Sequence, residues 1–256
     1  ESLDKITRDD IVKFHAANYI PNNTIVAVVG DVTEEEIVSK LNRYLKDWKK
    51  GDAAKVAFPS VKALSQKIVK PINKKITQAN IVLGHIGIER ENPDYYAAYV
   101  MNYILGGGGF TSRLMDNIRD NKGLAYDVHS YFAPMKYSGY FNVGVQTKNE
   151  SAKVAIEEVL KEMERIRSVP VTDKELEDAK AYLTGSFPLK LDTNKKIAGM
   201  LTAFEFFNLG LDYPDRYPKM INSLTKDDIL KVARKYLNPD NYTMVVVGDL
   251  EKAGMK

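Results

Sequence analysis

The sequence contains no cysteine, one tryptophan and three histidines among its 256 residues. The absence of cysteine excludes a disulfide framework, a thiol nucleophile and a thiolate zinc site. No apolar run approaches the roughly 18 residues that would cross a membrane as a helix. Neither sign of charge dominates, since 37 basic residues are interspersed with 34 acidic ones, which argues against a nucleic-acid-binding surface. No segment reads as a targeting signal, so the localisation stays unknown.

What the sequence does contain is an internal repeat. Residues 7–32 and 225–250 align without a gap, and eleven of the 26 positions are identical. In each copy a threonine, Thr7 or Thr225, precedes an aspartate by three residues, which is typical of a capped helix start. An apolar helical stripe, a turn containing proline, a β-branched run and a closing Gly-Asp pair follow. The repeated unit is predicted to be a helix, a turn and a strand.

The repeat predicts how the chain is divided. If the second copy closes a domain, the first copy closes an earlier one, so residues 1–50 are predicted to be the tail of a preceding domain. Residues 51–60 are polar, then small, then proline-bearing, and are predicted to form an interdomain linker. Residues 61–256 are predicted to form one domain. The chain is therefore predicted to be a fragment of a longer protein.

The order of the predicted elements within residues 61–256 indicates an α+β fold. Residues 125–133 and 139–147 alternate well enough to form a β-hairpin. Long helical patterns follow at 150–166, from 172 into the 180s, and at 194–209. Hairpins grouped with runs of helices, instead of strict β-α-β alternation, predict an antiparallel sheet covered by helices on one face.

The three histidines, His15, His85 and His129, form no metal-binding pattern. His15 lies in the first predicted helix, where its counterpart in the repeat is Ala233, and the other two lie in different predicted strands without a second ligand at metal spacing. Neither HExxH nor HxxEH occurs in the sequence. We therefore predict no metal site and no catalytic residue in this chain.

Four consecutive glycines, Gly106, Gly107, Gly108 and Gly109, lie in the most distinctive stretch, ILGGGGFTSRLMDNIRDNKGLAY. They lack the lysine of a phosphate loop and follow a predicted helix instead of a strand. A flexible connection and a loop that approaches a ligand closely both fit the glycines. Together with the repeated closing motif and Gln78 ahead of IVLG, this stretch resembles the second, non-catalytic half of the pitrilysin/insulinase-type zinc peptidases, which include the mitochondrial processing peptidase.

The resemblance implies a fold, a cofactor and a partner. The chain is then one homologous half of a two-domain clam-shell peptidase, whose halves face each other across a chamber. In that family the zinc is bound by an HxxEH motif in the first half, so the zinc belongs to the full enzyme and this chain alone is expected to be inactive. The expected partners are the N-terminal catalytic half, in the same chain or in a partner subunit, and a peptide substrate.

The resemblance also implies site residues. The arginine and tyrosine of the family segment I-R-x-x-x-G-L-A-Y fall on Arg119 and Tyr126, a pair that binds substrate backbone near the scissile bond in the family. Arg113 is a weaker candidate. Gly106 to Gly109 match a short version of a glycine-rich substrate loop. The alternative function is that of a non-catalytic structural or assembly subunit, because some members of the family have lost catalysis.

Overall fold

The computed structural model describes residues 2–52, 58 and 60–255. In this part of the chain the strands are β1 (Ile68–Asn73), β2 (Gln78–Ile86), β3 (Ala125–Ala133), β4 (Tyr140–Lys148) and β5 (Thr243–Gly248). The α-helices are α1 (Arg8–Asn18), α2 (Glu34–Tyr44), α3 (Tyr95–Asn102), α4 (Ala152–Ser168), α5 (Asp173–Gly185), α6 (Asn194–Phe206), α7 (Tyr213–Asn222) and α8 (Lys226–Tyr236). Tyr103–Gly107 and Met115–Asn121 are π-helical. None of the described helices is long and apolar enough to cross a membrane.

The strands form one sheet in the order β1-β5-β2-β4-β3. β2 pairs antiparallel with β4 and with β5, and β3 pairs antiparallel with β4. The predicted α+β fold is therefore confirmed. The predicted antiparallel sheet is found in these three pairings, whereas β1 and β5 pair in parallel at one edge. The cause is topological: β1 and β2 run in opposite directions, so a strand inserted between them that is antiparallel to β2 must be parallel to β1.

One face of the sheet carries the hydrophobic core. Ile81 and Leu83 of β2, Val143 of β4 and Val246 of β5 are buried, whereas Val82 on the opposite face of β2 is exposed. Because successive side chains of a strand point to opposite faces, this alternation separates a covered face from an open one. α4 packs against β4 and α8 on the covered side. The predicted cover of helices on one face is thus confirmed.

The two copies of the repeat begin alike and end differently. The hydroxyl oxygens of Thr7 and Thr225 accept hydrogen bonds from the backbone N–H groups of Asp10 and Asp228, at 3.2 Å in each copy. The predicted strand of the second copy is β5, but residues 24–29 form no strand. β5 has hydrogen-bonded neighbours on both sides, whereas the structure describes no strand beside residues 24–29. A β-branched run without a neighbouring strand has no ladder to join.

The described chain separates into two compact units. The first contains Glu1–Pro59 and Phe187–Leu211, and the second contains Ser60–Ser186 and Asp212–Lys256. The second unit holds the whole sheet. Helix α6 belongs to the first unit, although the sequence analysis placed it in the domain 61–256. Within the predicted linker 51–60, residues 53–57 and 59 lie outside the described residues. A compact unit is not the same as a domain, so the predicted boundaries stay predictions.

His85 is the buried histidine of the sheet. Its Nδ1 atom lies 2.8 Å from the carbonyl oxygen of Ile86, and its Nε2 atom accepts a hydrogen bond from the backbone N–H of Asn238 at 3.2 Å. The ring stacks on Phe141 with centroids 4.8 Å apart. A neutral imidazole that donates from Nδ1 and accepts at Nε2 satisfies both contacts. Burial lowers the pKa of His85, and the hydrogen bond to Ile86 opposes this shift.

This burial predicts a loss of stability in mild acid. Below the pKa of about 6.5 of a histidine in the unfolded chain, the unfolded state binds a proton that folded His85 does not bind. The free energy of unfolding should therefore fall as the pH drops below that value. Urea unfolding between pH 8 and pH 5 measures the slope. His85→Gln should flatten it, whereas His15→Gln, at an exposed histidine, should leave it unchanged. An unchanged slope in His85→Gln would contradict this assignment.

Candidate substrate-contact site

Arg119 and Tyr126 lie at the two ends of a tight connection between a helix and a strand. Arg119 is in the π-helix Met115–Asn121, and Tyr126 is in β3. Gly123 follows two residues after the end of this helix, and its φ of 60° is in the left-handed region that favours glycine. The N–H groups of Gly123 and Leu124 donate to the carbonyl oxygens of Arg119 and Ile118 at 3.0 and 2.9 Å. These two nested bonds satisfy carbonyl groups at the end of the π-helix, and with Gly123 in the left-handed region they turn the chain directly into the strand.

The start of β3 is irregular at Tyr126. Ala125 is paired with Thr147 and Asp127 with Gln146, so that Tyr126 is an extra residue without a partner in the ladder. Such a β-bulge bends the strand locally and redirects a side chain. The side chain of Tyr126 is 77% exposed, which leaves its hydroxyl accessible to a ligand.

The guanidinium of Arg119 lies beside two exposed aromatic rings. Its Cζ atom is 4.7 Å from the ring centroid of Phe110 and 6.0 Å from that of Tyr126. Its Nη1 atom donates a hydrogen bond to Asp120 at 3.2 Å. A cation within about 6 Å of a ring face is attracted by the ring quadrupole. The structure therefore brings the two predicted residues together and adds Phe110, which the sequence analysis did not assign although it directly follows the glycines.

The helix that carries Arg119 is anchored to α4 by polar contacts. Asn117 donates to Glu158 at 3.1 Å and to Glu162 at 3.0 Å. Lys122 and Lys161 form ion pairs with Glu158. The hydrogen bonds from these two lysines, the one from Lys122 above all, lower the pKa of Glu158 to about 2 against the opposing effect of burial. These contacts hold the helix that carries Arg119 against α4. They join residues that are far apart in the sequence, so no local sequence pattern predicts them.

Arg113 is held in the protein interior and does not join this site. Its Nε and Nη2 atoms donate to the two carboxylate oxygens of Glu175 at 2.6 and 2.9 Å. Glu175 also accepts a hydrogen bond from the backbone N–H of Thr172, which caps α5. Burial by itself raises the pKa of Glu175, but the hydrogen bonds from Arg113 and Thr172 outweigh it and lower the pKa to about 2. The position of Arg113 fits a structural role.

The four glycines form the end of one helix and the start of the next turn. A Cβ atom on Gly106 would lie 2.6 Å from the backbone nitrogen of Ser130 in β3, so the close approach of the two segments requires glycine there. Gly109 has a φ of 58°, in the left-handed region. Packing and backbone conformation thus account for these two glycines. The substrate-loop assignment of Gly106 to Gly109 stays a prediction.

The histidines do not come together. His85 is bonded through both ring nitrogens, as described above, and Nδ1 of His129 lies 2.9 Å from a carboxylate oxygen of Asp127. No group of three or more histidine, aspartate or glutamate residues that could hold a metal ion occurs in the described part of the chain. The donor set that a catalytic zinc requires, three protein ligands around one open position, is not assembled by these residues. The described residues therefore do not fit zinc by themselves.

Most of the sequence matches a known protein family. Residues 5–183 match the family described as "Peptidase M16 inactive domain". The chain belongs to this family. The predicted resemblance to the insulinase-type zinc peptidases is thereby confirmed, and with it the assignment of the chain to their inactive half.

The relatives of this M16 inactive domain carry different names. It is 32% identical over 244 residues to "Non-peptidase homolog YmxG" of Helicobacter pylori, a match that covers 93% of this chain and 53% of that protein. It is 25% identical over 264 residues to "Mitochondrial-processing peptidase subunit beta" of Saccharomyces cerevisiae, covering 97% of this chain and 57% of that protein. The chain thus spans little more than half of the length of these relatives.

A solved structure shares the fold of the M16 inactive domain. The crystal structure of a peptidase M16 inactive domain from Pseudomonas fluorescens superimposes with a TM-score of 0.86 at 33% sequence identity. The match covers 95% of this chain and 58% of that one. The α+β architecture with its single sheet is therefore shared within the family.

Proposed function

We propose that the chain is the substrate-binding half of a zinc-dependent metalloendopeptidase that acts on peptides and is inactive without the zinc-binding half. The observation that supports this proposal most directly is the juxtaposition of Arg119, Tyr126 and Phe110. A positive charge and a phenol hydroxyl are presented from a rigid connection between a helix and a strand. Exposed aromatic rings beside a cation make a surface suited to an extended peptide.

We call Arg119, Tyr126 and Phe110 the clamp, and each of the three has a separate task. The guanidinium of Arg119 offers several N–H donors in a fixed fork, which suits the carbonyl oxygens of a peptide backbone. The hydroxyl of Tyr126 donates one hydrogen bond to a carbonyl oxygen or to the oxyanion that develops from it. Phe110 restricts the guanidinium by contact with its face. The four glycines would let the peptide backbone approach the same edge closely.

The proposed partner is a half with a similar fold. Helix α8 buries Ile229 and Val232, which are 0% and 2% exposed, whereas their counterparts in the first copy of the repeat, Ile11 and Phe14, are 61% and 63% exposed. An apolar face that one copy buries and the other exposes is suited to cover by a second set of packed elements. We infer that the catalytic half supplies this cover, in the same chain or as a partner subunit.

A structural or assembly role is the second candidate. It is favoured by the similarity to a relative whose name describes it as a non-peptidase homolog. In this case the chain would associate with the other half, and the complex would not cleave peptides. The two candidates differ in one measurement, which is hydrolysis by the assembled complex.

The purified chain is expected to bind no stoichiometric zinc and to hydrolyse no peptide, because the described residues bring no set of zinc ligands together. Metal analysis and a fluorogenic peptide assay measure both properties. Addition of the half that carries HxxEH should produce hydrolysis that a chelator abolishes. One tightly held zinc per isolated chain would show that the active half is misassigned. A stable complex that contains HxxEH and zinc but cleaves no peptide would favour the structural role.

A further inference from the structure

A groove of about 540 Å³ opens beside the glycine segment. Tyr99 and Tyr103 line one side of it, and His129 and Tyr131 of β3, with Asn142 of β4, line the other. Its volume is in the range of pockets that bind small ligands. Gly109, which also lines the groove, directly precedes Phe110 of the Arg119 site. The groove is thus next to the proposed clamp along the chain, but it does not contain Arg119 or Tyr126.

The aromatic walls of the groove are held in place by further rings. Tyr99 stacks on Tyr95 at 5.9 Å between centroids, and Tyr103 stacks on Tyr182 at 5.1 Å. Tyr131 makes an edge contact with Tyr140 at 6.1 Å. A side chain that is restrained before binding loses less conformational entropy when a ligand arrives. The walls are therefore preorganised for a flat group.

His129 adds an imidazole ring to the tyrosine rings that line the groove. Its ring lies so close to Gly144 that a Cβ atom there would come within 2.8 Å of it. Glycine at position 144 therefore lets the imidazole lie against the open face of the sheet, and the contact between Nδ1 and Asp127 restrains it. Together with the amide of Asn142, it supplies the few polar groups that orient a ligand in a largely apolar site.

The charge of the groove indicates the class of ligand. No aspartate, glutamate, lysine or arginine is among the described residues that line it. A cationic side chain would lose hydration there, and the adjacent carboxylate of Asp127 is already in contact with His129. A neutral aromatic ring instead gains contact area and favourable ring-to-ring geometry against the tyrosines.

We propose that this groove binds an aromatic side chain of the peptide that the Arg119 and Tyr126 pair holds by its backbone. The inference rests on the proposed function, because it assumes that a peptide is bound. It adds a preference that the clamp alone does not have, since backbone contacts do not distinguish side chains. The groove then acts as a specificity subsite for an uncharged, flat side chain.

The test is a titration of the isotope-labelled 256-residue chain with three blocked peptides, Ac-Ala-Ala-Xaa-Ala-Ala-NH2, in which Xaa is Phe, Ala or Lys. Amide chemical shifts report both the affinity and the place of binding. We expect the Phe peptide to bind about tenfold more tightly than the Ala peptide, an ordinary discrimination for an apolar pocket. The shift changes should include Tyr131 and Asn142.

The preference should depend on Tyr131. Tyr131→Ala should reduce the affinity for the Phe peptide to that for the Ala peptide, and Tyr131→Leu, which keeps a bulky side chain on the sheet, serves if the alanine variant does not fold. Tyr44→Ala, at an exposed tyrosine of the first compact unit, is the matched control and should change nothing. Arg119→Ala should weaken the Phe and Ala peptides by the same factor.

The outcomes separate the two proposals. A Phe preference that Tyr131→Ala removes supports the groove. Equal affinities for the Phe and Ala peptides, both reduced by Arg119→Ala, overturn the groove and leave the clamp intact. A preference for Lys, or a Phe preference that both Tyr131 variants retain, also overturns the groove. Phe-selective binding that Arg119→Ala does not affect supports the groove and contradicts the clamp. Failure of all three peptides to bind overturns both proposals.

Discussion

Arg119→Ala is expected to lower the turnover of the assembled enzyme about 10²–10³-fold, the typical cost of losing one positioned donor to a developing oxyanion. The loss should appear in kcat if Arg119 acts mainly in the transition state, and in KM if it binds substrate and transition state equally. Steady-state kinetics with a peptide substrate separate these cases. Tyr126→Phe, which removes only the hydroxyl, should show a loss of the same kind.

The zinc content and the melting temperature should change little in these variants. Phe110 and Tyr126, the two rings beside Arg119, are 66% and 77% exposed, so the lost cation–π contacts contribute only about 0.5–1 kcal/mol. Arg216→Ala removes an arginine from an exposed ion pair with Asp212 and is the matched control, with activity expected near that of the unaltered enzyme. Unaltered kcat and KM in both Arg119→Ala and Tyr126→Phe would contradict the proposal that these two residues bind substrate.

Arg113→Met should have the largest effect on stability. It leaves the carboxylate of Glu175, whose side chain is 28% exposed, without its bidentate partner. Removal of one member of a buried ion pair typically costs about 3–5 kcal/mol, and the partial exposure of Glu175 favours the lower end. Chemical denaturation measures the free energy of unfolding. Arg216→Met, at an exposed pair, should cost much less stability than Arg113→Met.

A double variant separates the lost pair from lost packing. Arg113→Met with Glu175→Gln removes the unpaired charge while glutamine still serves the helix cap, so most of the stability should return. The stabilisation by the pair is present above the ordinary glutamate pKa of about 4.3 and is lost as the pH falls toward about 2, the lowered pKa of Glu175. This acid-dependent loss should be smaller in Arg113→Met, in which only the hydrogen bonds from Thr172 still favour the charged form of Glu175. A single variant as stable as the double variant would contradict the ion-pair argument.

The sequence predicted the elements whose signals are local. The alternation in residues 125–133 and 139–147 predicted the hairpin of β3 and β4, and the threonine caps at Thr7 and Thr225 formed as expected. Helix α7 was not predicted. It contains two prolines, Pro214 in its first turn and Pro218 in its interior. Burial of Tyr213, Tyr217 and Ile221 on one face stabilises a helix that the prolines argue against.

The candidate site was predicted only in part, because several of its contacts join residues that are far apart in the sequence. Arg119 and Tyr126 came from a motif that resembles a family, and their proximity follows from a seven-residue spacing. The β-bulge at Tyr126 depends on the pairing of β3 with β4. The anchor of Asn117 on Glu158 and Glu162 depends on the packing of α4. A linear sequence contains no signal for either until the fold is known.

The place of β5 between β1 and β2 has a consequence for biosynthesis. β2, β3 and β4 can pair as soon as residues up to 148 have left the ribosome, but β2 then exposes a free edge with no hydrogen-bonded neighbour on that side. Among the five described strands, residues 243–248 are synthesised last, and β1 has no other hydrogen-bonded neighbour in the sheet. An open edge beside an apolar face invites pairing with other chains. We therefore expect the growing chain to be most prone to aggregation before β5 is made.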